Sequence, residues 1–86
     1  MSKASKIFER LQSAGRVGGS LTFREFDRLL RAFGFRHERT TGSHRQYVHP
    51  RVPWVFTVNP DGTDARRYQV RQLLDMIDTY ELSIEE

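Results

Sequence analysis

Residues 35–59 read FRHERTTGSHRQYVHPRVPWVFTVN, and the rest of the chain takes its meaning from how this segment divides. Three short runs stand out in it: Arg36 to Thr41, His44 to His49 and Trp54 to Asn59. Their bounds are turn residues: Thr41-Gly42-Ser43, then Pro50-Arg51-Val52-Pro53, then Asn59-Pro60-Asp61-Gly62. In the third run Trp54, Phe56 and Val58 alternate with Val55 and Thr57, the pattern of a half-buried strand. The two prolines around Val52 favour a loop between the second and third strands. A tight hairpin at Gly42-Ser43 pairs Thr41 with His44 and His37 with Val48.

Helical periods flank this segment on both sides. Before it, Thr22 with Glu25 three residues on spells a capping box, and Leu21 with Phe26 has the spacing of a hydrophobic staple. Phe26, Leu29, Leu30 and Phe33 follow at i, i+3, i+4, i+7, and Gly34 is placed to end a helix over 23–33. After it, Val70, Leu73, Leu74 and Ile77 repeat the spacing and predict a helix over 69–81. A shorter stripe of Ile7, Phe8 and Leu11 predicts a leading helix over 5–14, with Gly15, Gly18 and Gly19 making a flexible joint at 15–20. The stripe either packs on the domain or lies loose until a partner buries it.

The order is thus a leading helix followed by α-β-β-β-α. The expected fold is α+β: a two-layer sandwich with both helices on one sheet face and the other face left to water or a ligand. The expected division is 1–19 for the leading helix and joint, and 20–86 for the domain. Double-stranded-RNA-binding domains share the α-β-β-β-α order and hold RNA by shape, phosphate and 2′-hydroxyl contacts.

Composition narrows the function classes. Eighty-six residues allow one small core. With no cysteine, disulfides, cysteine zinc sites and thiol catalysis are excluded. No apolar run approaches a membrane span and the start is not a secretory signal, so a cytoplasmic protein is expected. The net charge is +3, from 14 Lys and Arg against 11 Asp and Glu, but it is unevenly spread. Residues 1–74 hold all 14 bases and six acids, a balance of +8; residues 75–86 hold five acids and no base. Twelve of the 14 bases are Arg, whose guanidinium forks onto phosphate with two hydrogen bonds. A polyanion partner fits such a body.

RNA cleavage by its own 2′-oxygen needs a base, an acid, and donors for charge developing at phosphorus. Histidine can serve as base or acid near neutrality. His37, His44 and His49 lack metal-ligand spacing and carboxylate or cysteine companions, so no metal and no cofactor is expected. His44 directly follows a turn in which Gly42 can let phosphate approach the backbone and Ser43 offers a hydroxyl and an N–H. Arg45 follows and Arg39 lies on the opposing strand. Taken alone, the triplet is also compatible with a hairpin whose histidine is an ordinary exposed side chain. His37 is expected on the His44 face, but about 13 Å away at 3.3 Å per residue, too far to act on the same phosphate. His37 and His49 are expected as phosphate contacts or surface residues. Tyr47 is expected in the core, and Trp54 as either a base-stacking or a packed residue.

The helix ending Leu29-Leu30-x-x-x-Gly34-Phe35, then a strand, then Gly42-Ser43-His44-x-x-Tyr47, resembles the HicA family of toxin ribonucleases. Tyr68-Gln69-Val70-Arg71-Gln72 is similar to the same segment in a branch of that family with an extra N-terminal helix. The resemblance implies a type II toxin that binds and cleaves mRNA with His44 as catalytic residue. It also implies neutralisation by a HicB-type antitoxin covering the active site. Gly42, Ser43, Arg45 and Arg39 are the expected RNA-binding residues. Gln46 departs from the family pattern, which favours an aliphatic residue there. A non-catalytic RNA-binding module of the same fold, including an inactivated toxin, is the alternative function.

Overall fold

The computed structural model describes residues 3–14 and 20–85. Its elements are α1 (Lys3–Ala14), α2 (Phe23–Ala32), β1 (Arg36–Thr41), β2 (His44–His49), β3 (Val52–Val58) and α3 (Arg67–Thr79). The strands form one antiparallel sheet in the order β1-β2-β3. The α+β fold and its α-β-β-β-α order are therefore as expected from the sequence. The expected joint lies, apart from Ser20, outside the described residues.

The start of α2 is fixed by the capping box. Glu25 N–H donates to Thr22 Oγ1 at 3.1 Å, and Thr22 N–H donates to Glu25 Oε1 at 3.0 Å. Leu21 and Phe26, the staple pair, are both buried. At the other end, Gly34 adopts φ +93°, with Gly34 N–H bonded to Arg31 O and Phe35 N–H to Leu30 O. That is a Schellman stop, and it turns the chain into β1.

Tyr47, Phe56 and Val58 on the sheet meet Phe26, Leu29, Leu30 and Phe33 of α2 and Val70, Leu73, Met76 and Ile77 of α3 in one core. Ile7 and Leu11 of α1 belong to it as well, and the Phe8 ring packs edge-on against Phe33 at 5.0 Å. The apolar stripe of α1 is therefore spent inside the domain, so the loose helix waiting for a partner is not what forms. Gln69 shows why its segment sits at the start of α3. Its buried amide accepts from Asn59 N–H and donates to Thr57 O, tying α3 to the end of β3.

Several boundaries differ from expectation. The first and last helices each begin two residues early, at Lys3 and Arg67; α2 and α3 end at Ala32 and Thr79, one and two residues early, and β3 runs from Val52 to Val58. Pro53 thus lies within a strand. It is tolerated because β3 is an edge, where one missing N–H breaks no ladder.

Candidate nucleic-acid interface

The β1–β2 hairpin turns on two residues. Thr41 pairs with His44, and Gly42 has φ +60° while Ser43 does not share the left-handed region. Glycine at the first central position is the signature of a type II′ turn. A Cβ built on Gly42 meets nothing within 4 Å, so the backbone at this tip is open to an approaching group.

From this tip the pleat sorts the side chains. Arg39, Gln46 and Thr57 pair across the three strands as one row, and Thr41 pairs with His44 beside it. Because Tyr47 and His49 are buried on the helix side, His44, Gln46 and Val48 occupy the open face. The polar Gln46 thus costs the core nothing. Arg39 and His44 share this open face, both exposed.

Arg45 does not join them. It pairs with buried Val58 on the helix side, and its guanidinium sits 4.5 Å from the centroid of the Phe23 ring, at the first turn of α2. It therefore flanks the hairpin from beneath, held by a cation–π contact. Sequence reasoning missed Phe23 in this part, since a residue just inside a capping box reads as local helix chemistry.

The three histidines separate cleanly. The strand register shifts between His37 and Arg39, so His37 faces Tyr47 and not Val48. The bulge turns the His37 ring to the helix side, 5.3 Å from the Tyr47 ring, where Nε2 shares a 2.8 Å hydrogen bond with Thr40 Oγ1. The expectation that it shares the His44 face is corrected by that bulge. His49 is buried and fully engaged: Arg51 N–H donates to Nδ1 at 3.0 Å, and Nε2 donates to Phe33 O at 3.0 Å. This is the neutral Nε2–H tautomer serving as a bracket between β2 and the end of α2, not a phosphate contact or surface residue. His44 alone of the three has no hydrogen bond to its ring among the described residues.

The remaining aromatic candidates divide: Tyr47 lies in the core, as expected, and Trp54 stays half exposed. Tyr47 is buried, and its hydroxyl donates to Asp27 Oδ1 at 2.5 Å. Burial, reinforced by the Asp27 carboxylate, pushes the phenol far above its ordinary value, so it stays protonated and donating. Trp54 is 45% exposed at the sheet edge, where its indole N–H donates to Tyr80 Oη at 3.3 Å. Among the described residues no group of His, Asp or Glu is arranged to hold a metal ion. No helix among the described residues is long and apolar enough to cross a membrane.

The domain is thus a small α+β sandwich with one bare sheet face, a solvent-open histidine at a glycine turn and arginines around it. The family model described as the HicA toxin of bacterial toxin–antitoxin matches residues 23–78, from the first residue of α2 nearly to the end of α3. The chain belongs to the HicA toxin family and is a toxin of a toxin–antitoxin system. The family carries with it an antitoxin partner. No curated protein and no solved structure matches the chain.

Proposed function

We propose that this toxin is an endoribonuclease that cleaves mRNA in the cytoplasm with His44 and without a metal, and that a HicB-type antitoxin silences it. The observation that carries the reading is the isolation of His44. It stands exposed at the tip of a II′ hairpin, its ring unclaimed by the fold, while both other histidines have assigned structural bonds. HicA family toxins are generally ribonucleases, which supports the same chemistry.

In this reading a phosphodiester lies over the open tip of Gly42, within reach of the Ser43 hydroxyl. The His44 imidazole takes the 2′-hydroxyl proton as the 2′-oxygen forms its bond to phosphorus. The bond from phosphorus to the 5′-oxygen breaks, and that oxygen takes a proton from water. The products are a 2′,3′-cyclic phosphate and a 5′-hydroxyl. Arg39, on the same face, balances the charge that gathers on the non-bridging oxygens. Arg45 holds an adjacent phosphate from below the hairpin. With one titrating group and no second acid, cleavage is slow. An antitoxin seated over Gly42–Arg45 excludes RNA by occupying the same surface.

His44→Ala tests the assignment, because the side chain packs against little. Cleavage of RNA resolved on a gel should vanish, growth inhibition should be lost, and far-UV circular dichroism should be unchanged. A folded variant that still cleaves normally removes His44 from the chemistry and leaves the non-catalytic RNA-binding reading.

A further inference from the structure

The first two helices meet along a solvent-open cleft of about 300 Å³ that plays no part in the site just described. Its lining is Lys3, Lys6 and Ile7 from α1 and Arg24, Glu25 and Arg28 from α2. Lys3 and Lys6 stand at i, i+3 and Arg24 and Arg28 at i, i+4, so each pair projects from one side of its helix. All four are exposed, and none has an ion pair among the described residues. The one acid present is already engaged. Glu25 accepts from Thr22 N–H with one oxygen and from Arg10 with the other at 2.9 Å. Four uncompensated cations around an apolar floor repel one another in the free protein, so the cluster raises the energy of the folded state unless an anion joins it.

The cleft and the hairpin both adjoin the start of α2: the Arg45 guanidinium, one residue after His44, sits on the Phe23 ring, and Arg24 of the cleft lining is the next residue in the chain. The protein is 33 Å along its longest axis, so a strand of about twelve nucleotides is long enough to reach from the hairpin to the cleft.

We propose that the α1–α2 cleft is a second phosphate-binding surface that holds the RNA strand beyond the cleaved bond, with Lys3, Lys6, Arg24 and Arg28 contacting its backbone. The proposal rests on RNA being the substrate. It assigns α1 a function that burial of its apolar stripe leaves available, because the lysines lie on the side turned away from the core.

The test uses the full chain and a non-cleavable 2′-O-methyl oligonucleotide of mixed sequence, in two lengths: about twelve nucleotides and a trinucleotide too short to leave the hairpin. The variants are Lys3→Gln with Lys6→Gln, Arg24→Gln with Arg28→Gln, and all four together. All four substitutions should lower affinity for the long oligonucleotide by an order of magnitude or more. They should flatten its log–log salt slope by about 2 to 3 and leave trinucleotide binding unchanged. Each pair should give roughly half that slope change, which keeps the measurement available if the fourfold variant fails to fold. Wild-type affinity and slope in the variants for the long oligonucleotide overturn the proposal. So does selective loss of antitoxin binding, which makes the cleft a protein contact. If the wild-type protein binds neither length, the ribonuclease reading falls with it, and the two failures are thereby told apart.

Discussion

His44 and His49 lie on the same strand and the fold treats them in opposite ways. The first faces solvent beside a glycine; the second is walled in, with one ring nitrogen accepting and the other donating. His49→Ala leaves Phe33 O and Arg51 N–H without partners in a buried place, and should cost about 2–3 kcal/mol. Urea unfolding should show the loss, while cleavage per folded molecule stays at the wild-type value. If cleavage falls with no loss of stability, His49 belongs to the active site after all. The exposure of His44 was legible because a histidine after Gly-Ser in a hairpin has nothing to pack against. The roles of His37 and His49 were not: one depends on a bulge and the other on a carbonyl 16 residues away. Neither is encoded within reach of a local pattern.

At the level of elements, α2 was legible nearly to the residue because its signals are local: a capping box, a staple and a glycine stop. Glu25 adds a pH dependence to that cap. The Thr22 N–H bond, aided by Arg10, holds its carboxylate below the ordinary value of 4.5. A depressed folded-state value means that the stabilisation is fully present above pH 4.5 and is lost as pH falls through the lowered value. Glu25→Gln keeps the cap's geometry without the charge, so its acid unfolding curve should lie flatter than the wild-type curve below that pH. Coincident acid limbs would show that the cap carries no linkage. The start of β3 escaped the sequence because prolines signal loops unless the strand is known to be an edge, a matter of sheet order. The fate of α1 was likewise undecided by its three-residue stripe. Packed as it is, Leu11→Ala should cost roughly 2–4 kcal/mol. A change within error in chemical denaturation would mean that α1 is not part of the cooperative fold.

For the molecule as a whole, charge decides how partners arrive. The body to residue 74 carries +8 and the last twelve residues −5. The acidic end is drawn back: Leu82 is buried, and Glu85 N–H donates to Ala32 O at 2.7 Å, at the far end of α2 from the hairpin. The positive end is thus unmasked toward an incoming acidic surface. Capture by the antitoxin should slow steeply between low and physiological salt while dissociation changes little. Stopped-flow association at several ionic strengths measures it, and salt-independent association would remove steering from the account. The charge asymmetry was plain in the sequence. The cleft between α1 and α2 was not, because its two pairs of cations are brought together only by the packing of the helices.

Gly42 raises a question of handedness. An L-residue at φ +60° is strained even where its methyl group touches nothing, whereas D-alanine prefers that backbone region. Chemical synthesis of an 86-residue chain can place either enantiomer at position 42. The D form should stiffen the turn and hold the hairpin, yet it still adds a methyl group where the proposed mechanism brings a phosphate. If the D-alanine protein is fully folded and no longer cleaves RNA, the glycine serves clearance. If it cleaves normally and only the L-alanine protein is impaired, the glycine serves conformation alone. Mirror-image chemistry thereby separates two uses of one missing side chain that no ordinary substitution can distinguish.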